Sequence, residues 1–278
     1  MMSLPEQVER TYGSSGLAQK LLESLKAAGL DLEQLTTQDL IAFDELHIMG
    51  RQATLDLGKY AGLSENMHIL DIGSGLGGTA RTLAESFGCR VTGVDLSAEY
   101  VKAATELSRL VGLGDLVTFR QADATTLPFE EGRFDTVLML HLNMNIVNKT
   151  ALFREALRVL KPGGRLALWE VCSGSGGAVI YPVPWADRED FSHLVPVEVL
   201  AEHLRTAGAA DLEVTDASKE AAAWVKERLA AMQKPRRRRP TPDLDLVLKD
   251  FRAKRTNVSK NLLQNRIRVL RAIGSKLG

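Results

Sequence analysis

The chain has 278 residues, 45% of them apolar and 25% charged, and its 35 Lys plus Arg balance its 35 Asp plus Glu. That length suits one large or two modest domains, the apolar share suits an ordinary globular protein, and zero net charge excludes overall steering toward nucleic acid or anionic lipid. The N-terminal MMSLPEQVERTYGS lacks a basic region followed by an apolar one, no apolar run reaches the ~18 residues a membrane helix needs, and Cys89 and Cys172 stand in no metal-ligand spacing. The expectation is a cytoplasmic chain with no membrane span and no bound metal, each cysteine being a small buried hydrophobe.

Residues 1–65 read as a helical cap. LAQKLLESLKAAGLDL places Leu17, Leu21, Leu22, Leu25 and Leu30 at near-helical spacing, and LIAFDELHIMGRQATLDLGKYAGL after Thr37 and Asp39 predicts a second, continuous helix stopped at Gly62. From residue 66 to 217 the pattern alternates. MHILDIG, CRVTGVDL, LVTFRQAD, RFDTVLMLHL, RLALWEV and ADLEVTDA read as strands. GGTARTLAESFG, SAEYVKAATELSRLVGL, NKTALFREALRVL and VEVLAEHLRTAG read as helices, with Ser97 as an N-cap, Glu99 in the first turn and Gly88 as a stop. Alternating strands and helices joined by short glycine turns imply a Rossmann-like, doubly wound, mostly parallel α/β sheet with helices on both faces. Residues 172–195 interrupt it with a long Gly- and Pro-containing loop, a length usually tied to function. Residues 218–278 predict a helical C-terminal extension: EAAAWVKERLAAMQK, a break at PRRRRPTP, and a last helix over 243–273 with Phe251, Val258, Leu262 and Leu270 near one face. No seventh strand is evident after ADLEVTDA.

The chemistry concentrates in ILDIGSGLGG, residues 69–78. Glycines at a strand-to-helix turn let the backbone bend tightly and approach a ligand. Gly73, Gly75 and Gly78 also satisfy G-x-G-x-x-G, the dinucleotide pattern, so two cofactors compete at this point. Asp71, two residues before Gly73, would face a pyrophosphate with like charge but suits the ammonium and sulfonium of S-adenosylmethionine (SAM). Asp95 ends the second strand, where an acid accepts from both ribose hydroxyls, a feature NAD proteins share. Asp123 lies just past the third strand, within reach of an adenine amino group. Three acids at successive strand ends form one polar rim along the crevice where doubly wound sheets bind ligands.

DIGSGLGG, VTGVDLS, ADATTLPF, FDTVLML and RVLKPGGRL occur in the order and spacing of the class I SAM-dependent methyltransferases, which the chain resembles. With DELHIMGRQATLDL, NMNI, YPVPWA and DFRAKRTNVSKNLLQNRIRVL, most of the chain is similar to a bacterial small-molecule subfamily near the sarcosine/dimethylglycine N-methyltransferases and the ubiquinone and menaquinone methyltransferases. The resemblance implies that Asp71, Gly73, Ser74, Gly75 and Gly77 hold the methionine portion, Asp95 and Leu96 the ribose and one adenine face, and Asp123 and Ala124 the adenine, with S-adenosylhomocysteine (SAH) as product. The family's sheet usually has a seventh, antiparallel strand, which this reading lacks.

For the acceptor, HLNMNI at the end of the fourth strand supplies His141 as base or orienting group, with Asn143 and Asn145 beside it. Glu45 and His47 are further candidates, two apart on the predicted helix and so poorly placed to share a face. Tyr12 in TYGSSGL is placed to act as a lid, and Tyr181 and Trp185 in YPVPWA to wall an acceptor pocket, where a methylated amine gains from aromatic faces. Arg236 to Arg239 read as a solvated linker. The first expectation is methyl transfer to a small molecule, first an amine. The alternatives are a nucleic-acid methyltransferase, disfavoured because neither an Asn/Asp-Pro-Pro-aromatic motif nor a Pro-Cys follows the fourth strand; an NAD(P)-dependent oxidoreductase; and a non-catalytic SAM-binding protein. Arsenite methylation lacks the cysteines it needs. Both terminal helical regions are placed to pack over the cleft or against a second copy of the chain.

Overall fold

The computed structural model describes residues 15–232 and 242–278. Tyr12 and Arg236 to Arg239 lie outside the described residues. The chain runs α1 (Leu17–Ala27), α2 (Thr37–Asp44), α3 (Arg51–Tyr60), β1 (His68–Ile72), α4 (Gly78–Phe87), β2 (Arg90–Asp95), α5 (Ala98–Leu110), β3 (Val117–Gln121) and β4 (Phe134–Leu140). It continues through α6 (Lys149–Val159), β5 (Leu160–Ser173), α7 (Val197–Ala207), β6 (Ala210–Asp216), α8 (Ser218–Met232), α9 (Phe251–Leu263) and β7 (Ile267–Ser275).

The strands form one seven-stranded sheet in the order β3-β2-β1-β4-β5-β7-β6. β1 to β5 are parallel, and β7 runs antiparallel to both β5 and β6. This is the expected α/β class, and chain order reverses between β1 and β4, which opens a crevice at their carboxyl ends. Neighbouring residues of each inner strand enter opposite layers. Ile69 and Leu138 join a core with Leu83, Ala84, Trp169 and Val269, while Leu70 and Val137 join one with Leu152, Phe153, Leu200 and Leu204. Both faces of the sheet are thereby covered, as apolar parallel strands require. No helix among the described residues is long and apolar enough to cross a membrane.

Two expectations need correction. The last helix does not run through 243–273: it stops at Leu263, Asn265 turns in the left-handed region (φ 53°), and Ile267–Ser275 becomes the seventh strand. Ile267, Val269, Leu270 and Ala272 are buried between β5 and β6, so strand pairing overrides the helical reading. The second correction falls in the cap. The continuous helix expected after Thr37 is broken at residues 45–50, where Met49 (φ 70°) and Gly50 (φ 50°) turn left-handed.

That break lets the cap dock through charge. Arg81, wholly buried on α4, pairs with Asp44 at the end of α2. Its remaining donors reach the Leu76 carbonyl (2.8 Å) in the glycine loop and the Ser108 hydroxyl (2.9 Å) on α5. Burial pushes Asp44 up to about 6 although Arg81 draws it down. The next residue, Glu45, accepts from Thr82 of α4 and from Thr54 of α3 (2.6 Å). Removing one member of a buried pair leaves the other charge uncompensated. Arg81→Met is therefore expected to cost about 3–5 kcal/mol in urea unfolding, and Asp44→Leu/Arg81→Met less than the sum of its single substitutions.

Candidate functional site

At the carboxyl ends of β1, β2 and β4, a cavity of about 230 Å³ opens, roofed by the cap and by Val247 and Leu248. Gly73, Ser74, Gly75, Asp95, Leu96, Asp123, Ala124, His47, His141, Asn145 and Trp185 all line it. Tyr100 of α5 lines it too and donates its hydroxyl to the Val247 carbonyl at 2.6 Å, which ties the roof down.

The glycine loop is held by its own amides. Gly73 and Ser74 N–H both donate to the Val94 carbonyl (2.8 and 2.9 Å), Gly77 N–H to the Ser74 carbonyl (2.8 Å), and Gly75 N–H to Asp95 Oδ2 (2.9 Å). These amides are committed within the protein, unlike those of a loop that cradles phosphate. Gly75, which lines the cavity, is left-handed (φ 53°), and a Cβ there would meet nothing within 4 Å. Gly77 caps α4 with φ 81°, and a Cβ there would collide with the Phe119 ring, so it shapes the loop and does not line the cavity.

Asp71 lies buried beneath the turn, outside the cavity wall, with Oδ2 lacking any partner. Burial first, then the neighbouring Asp95 and Glu45, push it up to about 7. Ser74 Oγ is likewise buried without a partner. Asp95 is raised by burial, against the Ser97 and Gly75 amides that hold it down. Asp123 Oδ1 accepts from the Thr125 amide and hydroxyl, both at 2.7 Å. Orphan buried acceptors cost free energy unless something donates to them. These acceptors are met by a cationic, hydroxyl- and amino-bearing ligand, which is what SAM presents.

His141 closes β4 in a left-handed conformation (φ 55°), uncommon for a residue with a side chain and worth about 1–3 kcal/mol of strain. Its amide donates to the Trp169 carbonyl (2.9 Å), and its Nε2 is buried without a partner. Burial first, and His47 second, hold its pKa well below the usual imidazole range. The two rings stand edge to face with centroids 5.8 Å apart. His47 Nε2 lies 3.0 Å from the Gly50 carbonyl and 3.8 Å from Glu45 Oε2. A carbonyl only accepts, so His47 carries its hydrogen on Nε2 and keeps Nδ1 to accept. Burial lowers its pKa too, while Glu45 pulls the other way. The poor pairing expected of Glu45 and His47 on one helix is thus overturned by the break that separates α2 from α3.

Other expected acceptor residues sit elsewhere. Asn143 is fully buried and outside the cavity wall, its Nδ2 donating to Glu170 (2.8 Å) and the Val171 carbonyl (3.0 Å). Tyr181 does not reach the cavity, whereas Trp185 does, with its Nε1 donating to Ser192 (2.9 Å). Glu45 is buried behind His47.

Sequence reasoning missed the supports beneath the 142–146 turn. Glu170, fully buried on β5, accepts from the Leu142 amide (3.0 Å) and the Asn143 amide (3.1 Å). Buried Lys149 donates to the Asn143 and Ile146 carbonyls, both at 2.8 Å. Burial raises Glu170 to about 7 and lowers Lys149 to about 8. The signal was present in RLALWEV, where a carboxylate interrupts an apolar strand. Also unforeseen, α9 grips the long loop: Asn261 exchanges two hydrogen bonds with Ile180 (2.8 and 2.9 Å), and buried Lys254 pairs with Asp187 at 2.9 Å.

A profile described as a methyltransferase domain matches residues 70–168. Over 173 residues the chain is 34% identical to the erythromycin 3''-O-methyltransferase of Saccharopolyspora erythraea, covering 57% of this chain and 55% of that protein. Over its central region the chain is thus similar to SAM-dependent methyltransferases. It spans about half the length of that curated relative. Among solved structures, the phosphoethanolamine N-methyltransferase 2 of Haemonchus contortus, solved with SAM, matches with TM-score 0.69 and 22% identity, over 100% of this chain and 61% of that one. The [4+2]-cyclase SpnF matches with TM-score 0.67 and 21% identity, over 100% and 98%. At such identities the structures share the fold alone.

If Glu170 anchors the turn that carries His141, Glu170→Ala is expected to lower unfolding free energy by about 2–4 kcal/mol and to move the His141 imidazole resonances. Glu170→Gln, which still accepts through its amide oxygen, is expected to move them less.

Proposed function

We propose that this methyltransferase binds SAM along the glycine loop and the acid rim and passes its methyl group to a small-molecule acceptor, first an amine nitrogen. One observation carries the reading: the cavity presents carboxylates and unpartnered polar atoms, while the Gly73, Ser74, Gly75 and Gly77 amides are already used within the protein. A pyrophosphate would meet like charge and few donors, whereas an ammonium and a sulfonium meet acceptors. The residue-by-residue assignment follows that chemistry. Asp71, Gly73, Ser74 and Gly75 hold the methionine portion, with Gly77 shaping the loop that carries them, Asp95 and Leu96 hold the ribose, and Asp123 and Ala124 the adenine. Similar proteins include O-, N- and C-methyltransferases, so the accepting atom stays open among oxygen, nitrogen and carbon.

SAM supplies an electrophilic methyl carbon. The protein's part is to align the acceptor in line with it and keep water out. His141, with His47 beside it, is placed to accept the proton that an attacking amine or hydroxyl must lose, because burial keeps both imidazoles neutral. Asn145 and Trp185 complete the wall on that side.

Two measurements test this. Asp71 is largely protonated at pH 5.5 in the free protein, and an ammonium favours its ionised form. SAM binding should therefore expel a proton at low pH, and affinity should rise by roughly tenfold between about pH 5.5 and about pH 7.5. Asp71→Asn should flatten that profile and weaken binding; a flat wild-type profile would remove Asp71 from the methionine site. His141→Ala and His141→Asn should lower SAH release by about 10²-fold with SAM affinity within about threefold. Unchanged turnover would remove His141 from the mechanism.

A further inference from the structure

We infer that the acceptor carries neither phosphate nor carboxylate in its enclosed part, and that it is an apolar-bodied molecule bringing one hydrogen-bond donor, an amine or a hydroxyl, to the histidine pair. This rests on the methyltransferase reading above and narrows its substrate class.

The argument is one of charge. Among the described residues, no Lys or Arg lines the cavity, while Asp44, Asp95 and Asp123 do. The nearest buried guanidinium, Arg81, is spent on Asp44, the Leu76 carbonyl and Ser108. The backbone amides of Gly73, Ser74, Gly75 and Gly77 are committed as described. His141 N–H goes to Trp169, Leu142 and Asn143 N–H to Glu170, and Asn145 and Ile146 N–H back into their own turn. Beyond the cofactor's own sulfonium, an acceptor anion enclosed here would lose its water and find no cationic side chain among the described residues, an arrangement proteins avoid at a cost of several kcal/mol.

What the walls do offer is apolar surface and acceptors. Phe43, Leu46, Met144, Trp185, Val247 and Leu248 line the same cavity. His141 Nε2 is buried and unpartnered, and the His47 hydrogen is spent on Gly50, so its Nδ1 can only accept. Both rings are neutral, so neither replaces the missing cation. A donor on an apolar body satisfies these atoms. Its proton passes to an imidazole nitrogen as its lone pair forms the new bond to the methyl carbon, and the electrons of the broken bond remain on sulfur.

The consequence separates this chain from the substrate named for the phosphoethanolamine N-methyltransferase it matches in fold. It also turns the amine expected from the sarcosine/dimethylglycine resemblance away from amino acids, which bring a carboxylate.

The experiment titrates matched pairs into the protein saturated with SAH, by calorimetry: benzylamine against phenylglycine, phenethyl alcohol against phenethyl phosphate, ethanolamine against phosphoethanolamine. SAH release in the presence of SAM is followed for the same pairs. The unphosphorylated and uncarboxylated members are expected to bind at least about tenfold more tightly and to give the faster release. Equal or tighter binding of the anionic members overturns the inference while leaving the methyltransferase reading intact. Failure of SAM and SAH to bind at all would instead refute the reading on which it rests.

Discussion

The placement of the cap depends on one guanidinium withdrawn from water. Arg81 sits on the first helix after the glycine loop, yet its partners lie in three places: Asp44 in the cap, the Leu76 carbonyl in the loop, and Ser108 on α5. A buried arginine without partners is prohibitively costly, so these elements settle together or not at all. Glu45 extends the same docking through Thr82 and Thr54, and that turns the following residues inward. His47 reaches the cavity because of this, and only because the chain leaves helical geometry between Asp44 and Arg51.

The site above it is built by subtraction of water and of positive charge. Asp71, Asp95 and Glu170 are all raised by burial, and His47 and His141 are lowered by it. Each shift favours the neutral form, and together they describe a region where charge is tolerated only with a partner. Two separate uses follow. Glu170 has its partners within the protein and fixes the turn below His141. Asp71 Oδ2, Ser74 Oγ and His141 Nε2 have none within the described residues, and a ligand that hydrogen-bonds to them recovers that free energy.

Much of the frame was legible in the chain. Ile69 and Leu70 alternate between the two cores as the short apolar runs implied, Ser97 caps α5, and Gly88 ends α4 in the left-handed region. These features are local, governed by periodicity and by the steric freedom of glycine, and so they survive reading one residue at a time. The errors were non-local. Ile267–Ser275 resembles the continuation of a helix until β5 and β6 are beside it, because the preference of such a segment depends on what it packs against. Asn143 carries a polar group suited to a substrate, but Glu170, 27 residues later, claims it.

By itself the sequence determined the doubly wound sheet, the glycine turn after β1, and the three acids at successive strand ends, since strand period and turn chemistry place them without reference to the rest. Tertiary structure decided which of those groups are satisfied and which are left open. It spent the Gly73, Ser74, Gly75 and Gly77 amides on Val94, Ser74 and Asp95, paired the buried Arg81 with the cap, and brought His47 beside His141 from a segment the sequence had read as helix. Hydrogen-bond satisfaction and desolvation are properties of neighbours in space, so the acceptor's chemistry could be read only after the chain had folded around it.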